Sequence, residues 1–221
     1  MQIADRMTTL GTEAGFEVLL KARKLEKEGK KILHFELGEP DFDTPMHVKE
    51  AAKKALDGNY THYCPSPGVM EHREALAEYT NRTRKTNYTA EEIVVGPGGK
   101  PLLFYGILAV LNPGDEVITP SPSYPMYDSM SILFGAKPVH LEVREENDWR
   151  MDVSKLEGLI TPKTKMIIIN SPANPTGGVL THSDLEAIAD VAKRHDLWVM
   201  SDEVYGQIGR ASCRERVYVL V

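Results

Sequence analysis

Short stretches rich in apolar residues recur from about residue 91 onwards. These stretches are predicted strands, at 93–95, 117–119, 139–143, 165–170 and 197–201, and several of them are continuous apolar runs rather than alternating ones. Runs that do not alternate with polar residues are typical of parallel strands that are covered on both faces. Helical patterns separate several of the runs, so the order of elements predicts an α/β fold with a mostly parallel sheet flanked by helices.

Helical periodicity marks the connections between these strands. Ser183 and Glu186 predict a capping box between the last two strands. The buried stripe of that helix is predicted at Leu185, Ile188, Ala189 and Ala192. A further, almost wholly apolar helix is predicted from Pro101 to Leu111.

Three more helices and one short strand are predicted before residue 91. The strand covers residues 32–35, and the first helix covers about 12–28. The second helix runs from an N-cap at Thr44 to Gly58, and the third from Met70 to Asn81. The residues expected to face inward in these three helices are, in chain order, Phe16, Leu19 and Leu20; Val48, Ala51, Ala52 and Ala55; and Leu76, Tyr79 and Thr80.

Composition narrows the classes of function. The chain of 221 residues is 42% hydrophobic and 26% charged, which is ordinary for a globular protein with a substantial core. A net charge of −6 argues against nucleic-acid or anionic-membrane binding, and no apolar stretch approaches the roughly 20 residues of a membrane span. The first residues lack the apolar core of a signal peptide, the two cysteines form no CxxC motif, and the histidines have no metal-ligand spacing. We therefore expect a cytoplasmic protein without a metal site that binds neither nucleic acid nor membrane.

Two polar motifs follow neighbouring apolar strands. Asn174 begins the sequence Asn-Pro-Thr-Gly after the strand at 165–170, and Asp202 lies in Ser-Asp-Glu-Val-Tyr at the end of the strand at 197–201. Open α/β sheets bind their ligands at the carboxyl ends of the strands. Each motif alone has an ordinary reading, because Asn-Pro often forms a turn and Asp often caps a helix. Both together, with a capped helix between them, favour a ligand site.

A third motif is rich in glycine. Gly98, Gly99 and Lys100 separate the run at 93–95 from the apolar helix. Glycines let a ligand approach the backbone closely, and the free N–H groups of a helix N-terminus suit a phosphate. A tight strand-to-helix turn explains the same residues equally well, so this motif alone leaves both readings open.

Together these motifs resemble the class I/II aminotransferases, which have the fold called type I and use pyridoxal 5'-phosphate (PLP). The resemblance covers about residues 11–205. It implies that Gly98, Gly99 and Lys100 hold the cofactor phosphate and that Tyr124 stacks on the cofactor ring. It also implies that Asp202 pairs with the pyridine nitrogen, which must stay protonated for the cofactor to accept electrons.

The resemblance assigns four further roles. Asn174 and Tyr205 would hydrogen-bond the phenolic oxygen of the cofactor, and Asn174 would also contact substrate. Gly38 resembles the glycine that lies against the substrate carboxylate. Tyr63 resembles a tyrosine that reaches the cofactor phosphate of a neighbouring subunit, which implies a homodimer for the full-length protein.

The resemblance stops before the lysine that would hold PLP as a Schiff base. Ser154-Lys155, in a predicted helix, precedes Asn174 in the chain and so cannot take that role. The arginine expected to pair with the substrate carboxylate is also missing. The predicted domains are an arm with part of a small domain (1–44), an incomplete PLP-binding large domain (45–205) and a suspected non-native tail (206–221). The sheet would end before the catalytic-lysine strand, and we expect the chain by itself to be inactive.

The implied activity of the intact parent is amino transfer from an amino acid to a 2-oxo acid with ping-pong kinetics. Other enzymes of this fold remain alternatives, among them a C–S lyase and an enzyme like aminocyclopropane-carboxylate synthase. A non-catalytic PLP-binding module is a further alternative. It ranks lower, because in some transcription regulators such modules follow a winged-helix domain for which this chain has no room.

Overall fold

The computed structural model describes residues 3–8, 11, 14–40 and 42–207. The chain divides into two units, one of Glu13–Val69 and the other of Met1–Thr12 with Met70–Val221. The helices of the smaller unit are α1 (Ala14–Lys27) and α2 (Met46–Asp57). The larger unit contains helices α3 (Met70–Arg84), α4 (Gly99–Val110), α5 (Met126–Leu133) and α6 (His182–His195). Its strands are β1 (Glu116–Ser121), β2 (Lys137–Glu142), β3 (Thr164–Asn170) and β4 (Trp198–Asp202).

The four strands form one parallel sheet in the order β2-β1-β3-β4. This confirms the predicted parallel sheet, and four of the six predicted strands overlap an observed one. In the register of β3 and β4, Asn170 lies opposite Asp202. The two strands therefore end side by side, which brings the chain segments that follow them to the same edge of the sheet.

Both faces of the sheet are covered. On one face Ile118, Ile167 and Ile169 form a buried cluster with Ile188 and Val191 of α6. On the other face Val117, Met166, Ile168 and Met200 pack with residues of α4 and α5. Successive residues of a strand point to opposite faces, so a strand buried on both sides needs apolar residues at every position. This is the physical reason for the continuous apolar runs in the sequence.

Helix α6 begins two residues earlier than the predicted cap implies. Thr181 is the N-cap, its Oγ1 accepts from the Asp184 N–H at 3.2 Å, and Asp184 Oδ2 accepts from the Thr181 N–H at 2.8 Å. The prediction of Ser183 and Glu186 as the capping box was wrong, since Thr181 and Asp184 have the same spacing and lie at the actual start. The stripe is confirmed, with Ile188 and Ala192 buried and Leu185 packed against the core.

The predicted strands at 93–95 and 32–35 are absent. Residues 93–95 form no strand and have no ladder partner among the described residues, and the Ile93 carbonyl accepts from Arg73 Nε at 2.9 Å. Leu33 and Phe35 are 75% and 89% exposed. A strand requires a neighbour to satisfy its backbone groups, and neither segment has one in the part of the chain that the structure describes.

Several helix predictions need correction as well. Helix α2 has Pro45 at its N-cap, without a side-chain cap from Thr44. All of its apolar residues are exposed, so the predicted inward face is not buried. Helix α3 buries Arg73 and Ala77, whereas Tyr79 is 45% exposed. In α1, Phe16 and Leu20 are more than half exposed. Apolar periodicity located these helices but did not determine which face is buried.

Two further differences concern short helices. Ser154-Lys155 lies in a 3₁₀ turn, Val153–Lys155, rather than in an α-helix. Helix α5 was not predicted, since its eight residues are too few to display a clear period. The remaining 3₁₀ turns are Asp5–Thr8, Ala90–Glu92, Glu145–Asn147 and Glu157–Leu159.

Candidate active site

The topology of the larger unit brings the predicted motifs to one edge of the sheet. The segments with Tyr124, Asn174 and Tyr205 follow the carboxyl ends of β1, β3 and β4. Helix α4 packs on one face of the sheet and leads through residues 111–115 into the amino end of β1. The N-terminus of α4, with Gly98 and Gly99, therefore points towards the carboxyl edge as well.

Asp202 ends β4 with both carboxylate oxygens hydrogen-bonded. The Tyr127 hydroxyl donates to Oδ2 at 2.8 Å, and the Val204 N–H donates to Oδ1 at 3.1 Å. The residue is half-buried. Each carboxylate oxygen has two lone pairs, so Asp202 retains the capacity to accept from one more donor.

Asn170 connects the two sequence motifs. Its side chain is almost fully buried at the end of β3, where Nδ2 donates to the Asp202 carbonyl at 2.9 Å and Oδ1 accepts from the Asn174 N–H at 2.6 Å. One amide thus fixes the backbone of both residues. No sequence motif identified Asn170, whose only signal is that a polar residue closes an otherwise apolar run.

Asn174 lies in a tightly folded segment. The Ala173 N–H donates to the Gly178 carbonyl at 2.9 Å, and the Gly177 N–H donates to the Ala173 carbonyl at 2.8 Å. A Cβ on Gly178 would lie 2.3 Å from the Trp149 carbonyl oxygen, so only glycine fits there. In this segment Asn174 Nδ2 lies 3.4 Å from the Tyr205 hydroxyl. The two residues predicted to bond the phenolic oxygen of the cofactor are therefore neighbours.

Two tyrosines after β1 pack edge to face. The rings of Tyr124 and Tyr127 are 5.6 Å apart at an interplanar angle of 81°. Tyr124 is half-buried, whereas Tyr127 is fully buried in the core. Burial, and then the negative charge of Asp202, raise the pKa of Tyr127, so its hydroxyl stays protonated and acts as a donor. Tyr124 is a predicted site residue, whereas no sequence pattern assigned a role to Tyr127.

The glycine turn before α4 leaves its backbone open. Gly98 has φ of +104°, a conformation that favours glycine, and it is the N-cap of α4. A Cβ at Gly98 or Gly99 would meet no atom within 4 Å. Lys100, in the first turn of α4, is exposed. The first N–H groups of the helix lack intrahelical acceptors, so this open turn can accommodate an anion.

An ion pair connects helix α3 to the residue that follows Asp202. Arg84, at the end of α3, contacts Glu203 at 2.5 Å, and both side chains are largely buried. Burial raises the pKa of Glu203, and the positive charge of Arg84 opposes that effect. The pair fixes the residue next to Asp202 to α3.

The remaining predicted site residues, Gly38 and Tyr63, lie in the smaller unit. A Cβ on Gly38 would meet no atom within 4 Å, and Tyr63 is fully exposed. Their predicted roles stay predictions, as do the predicted domain limits. The tail prediction falls largely on residues 208–221, outside the described residues. Among the residues that the structure describes, none of the helices has the length and apolar character of a membrane span.

Known proteins resemble this chain in both sequence and structure. It is 39% identical over 204 residues to an aspartate/prephenate aminotransferase of Cereibacter sphaeroides, covering 92% of this chain and 51% of that protein. It is 48% identical over 179 residues to an aspartate aminotransferase of Pyrococcus abyssi, covering 80% of this chain and 46% of that protein. The chain thus spans about half the length of the curated relatives it matches.

Solved structures of aminotransferases also resemble this chain. An aspartate aminotransferase from Thermus thermophilus with maleate superposes with a TM-score of 0.88 at 41% identity, over 91% of this chain and 53% of that one. An aspartate aminotransferase from Rhizobium meliloti gives a TM-score of 0.92 at 34% identity, over 98% and 55%. The profile of the family "Aminotransferase class I and II" matches residues 30–220. The chain therefore belongs to this family of PLP-dependent enzymes and has the α/β fold of their large domain.

Proposed function

We propose that the larger unit holds the ring and phosphate of PLP, and that the whole protein is an aminotransferase. The main observation in support is that the Asn170 side chain hydrogen-bonds the backbones of both Asp202 and Asn174. It supports a single site in which a carboxylate, an amide and a hydroxyl converge at the carboxyl edge of the sheet. These groups suit the polar atoms around a pyridine ring.

Asp202 would hold the pyridine nitrogen in its protonated form. Its carboxylate has capacity for a third donor, and opposite charges in contact favour the ionised state of both partners. Bound PLP supplies an electron sink for bond cleavage at the substrate α-carbon. Asn174 Nδ2 and the Tyr205 hydroxyl, 3.4 Å apart, would donate to the phenolic oxygen, and Tyr124 would cover the ring.

The glycine turn would take the phosphate. The open space over Gly98 and Gly99 allows close approach of the phosphate to backbone N–H groups at the start of α4. Lys100 lies in the same turn and adds a positive charge. The residues present therefore fit the cofactor at its ring nitrogen, phenolic oxygen and phosphate.

The proposed substrates are an amino acid donor and a 2-oxo acid acceptor. Relatives are named aspartate/prephenate, aspartate and aromatic-amino-acid aminotransferases, which supports an acidic or aromatic donor in amino-acid metabolism. Gly38 and Asn174 would contact the substrate. A homodimer is proposed as well, in which the exposed Tyr63 reaches the cofactor phosphate of the other subunit. A cytoplasmic location belongs to the same proposal.

Cofactor binding is testable with pyridoxamine 5'-phosphate, which has the ring and phosphate of PLP but no aldehyde to react with surface lysines. Calorimetric titration of the chain should give one site. Asp202→Asn should weaken binding about 10- to 100-fold, because it removes a charge-assisted hydrogen bond. The matched control is Asp190→Asn on the exposed side of α6, which should leave the affinity unchanged. Equal affinities for both variants would contradict the proposed site.

Amino transfer is testable by supplying PLP, aspartate or an aromatic amino acid, and a 2-oxo acid, and measuring the new amino acid formed. The whole protein should form it, whereas the 221-residue chain should not, since its sequence lacks the expected lysine motif after Tyr205. Release of pyruvate from a sulfur-containing amino acid, without amino transfer, would favour a C–S lyase instead.

A further inference from the structure

We propose that Tyr127 is a positioning residue for the cofactor, which keeps the Asp202 carboxylate ionised and aimed at the pyridine nitrogen. This inference rests on the proposed function. It assigns a role to a buried tyrosine hydroxyl that no sequence motif identified. Tyr127 would act only through Asp202 and would not itself touch the cofactor.

The contact between the two side chains is specific. The Tyr127 hydroxyl donates to Asp202 Oδ2 at 2.8 Å, while the Val204 N–H donates to Oδ1 at 3.1 Å. Two donors on different oxygens restrict rotation of the carboxylate about its last bond. The lone pairs that remain then face a defined direction, which is the requirement for aligning a third donor.

The hydroxyl is itself held in place from two sides. The Tyr127 ring is fully buried in the cluster between α4, α5 and the sheet. Its carbonyl accepts from Ser131 Oγ at 2.7 Å, and its N–H donates to the Tyr124 carbonyl at 3.2 Å. Moving the hydroxyl would therefore require repacking of the core, so the carboxylate is positioned against a rigid element.

The hydrogen bond from Tyr127 to Asp202 also affects the position of a proton shared between Asp202 and the pyridine nitrogen. Asp202 and a pyridine nitrogen can share one proton, either as carboxylate with pyridinium or as carboxylic acid with neutral pyridine. A donor to the carboxylate stabilises the ionised arrangement. Because burial and the charge of Asp202 raise the pKa of Tyr127, the hydroxyl keeps its own proton and remains a donor. Loss of the hydroxyl should move the shared proton towards Asp202.

The test uses pyridoxamine 5'-phosphate labelled with ¹⁵N in the ring, whose nitrogen signal differs widely between pyridinium and pyridine. In the unaltered chain the bound signal should indicate pyridinium. Tyr127→Phe keeps the buried ring and removes only the hydroxyl, so the signal should move towards neutral pyridine and binding should weaken about 3- to 10-fold. Tyr105→Phe, at a 56% exposed position, is the matched control and should change neither quantity.

Asp202→Asn separates the inference from the proposed function. The shift of the nitrogen signal towards neutral pyridine should be largest in Asp202→Asn and smaller in Tyr127→Phe. Tyr105→Phe should show no shift. If Asp202→Asn moves the signal and Tyr127→Phe does not, the role of Tyr127 is wrong and the proposed function stands. If Asp202→Asn has no effect, or the unaltered chain binds no pyridoxamine 5'-phosphate, the proposed function fails and this inference with it.

A second measurement requires no substitution in the core, so it can be made even if the Tyr127→Phe variant does not fold. The ¹³Cζ signal of Tyr127 in the unaltered chain should shift when pyridoxamine 5'-phosphate binds, because the third donor draws charge from Asp202. The signal of the exposed Tyr105 should stay in place. An unchanged Tyr127 signal at saturation would overturn the proposed role.

Discussion

At the scale of single residues, the candidate site depends on side chains that would not themselves touch a ligand. Asn170 and Tyr127 are buried at the carboxyl edge of the sheet, and each bonds to Asp202. A buried amide or hydroxyl is costly unless it is hydrogen-bonded, so these residues are fixed in place by their partners. Their hydrogen bonds in turn hold the Asp202 carboxylate and the backbones of Asp202 and Asn174 in place.

Replacing Asn170 should therefore damage both the fold and the site. Asn170→Ala removes two hydrogen bonds and leaves the Asn174 N–H and the Asp202 carbonyl without this partner. We expect the free energy of unfolding to fall by about 1–3 kcal/mol and pyridoxamine 5'-phosphate to bind about tenfold more weakly. Urea unfolding measures the free energy of unfolding, and calorimetry measures the affinity. Asn112→Ala, at an exposed position, is the control. Unchanged affinity would show that Asn170 does not organise the site.

The glycine turn allows strain and ligand contact to be separated. Gly98→Ala places a side chain at φ of +104° and should cost about 1–2 kcal/mol of stability. Gly99 has no such positive φ and open space around it, so Gly99→Ala should leave stability nearly unchanged. If the phosphate lies over this turn, Gly99→Ala should still weaken binding of pyridoxamine 5'-phosphate. Full affinity in that variant would place the phosphate elsewhere.

At the scale of elements, the start of α6 distinguishes between two possible caps. Thr181→Ala should destabilise the larger unit by about 1 kcal/mol, because Thr181 accepts from the Asp184 N–H. Ser183→Ala, at the position that the sequence favoured, should change stability by less than about 0.5 kcal/mol. Thermal or urea unfolding of the two variants compares them directly. A larger loss for Ser183→Ala would contradict the observed helix start.

The sequence predicted elements well where both sides of a strand or helix are covered within the described chain. The runs that became β1 and β3 are buried on both faces, so their composition reflects their surroundings. The run at 93–95 is also apolar but has no partner strand in the described part of the chain, and it forms no strand. Asn174, Tyr205 and Asp202 lie at the carboxyl edge of the sheet, as their positions after the strands predict, and their roles stay predictions. Asn170 and Tyr127 contact Asp202 through hydrogen bonds that no local pattern encodes.

At the scale of the whole molecule, β4 is an edge of the sheet. It pairs only with β3 among the described residues, and Trp198 is 52% exposed. Unpaired edges expose backbone groups and favour association with further strands. The relatives are about twice as long as the chain, so they contain additional sequence for which this structure has no counterpart.

Amide hydrogen exchange tests whether this edge is open. The amides of β1, which lies between β2 and β3, should be strongly protected. The amides of β4 that point away from β3 should exchange much faster. Equal protection along β1 and β4 would show that another segment or molecule covers the edge.

The most direct test of the central claim is a crystal structure of the chain with pyridoxamine 5'-phosphate. We expect the ring nitrogen to lie within hydrogen-bonding distance of the Asp202 carboxylate, the phenolic oxygen to face Asn174 and Tyr205, and the phosphate to lie over Gly98 and Gly99. A ring nitrogen that contacts neither oxygen of Asp202, or a ligand bound away from the carboxyl edge of the sheet, would contradict the proposed site.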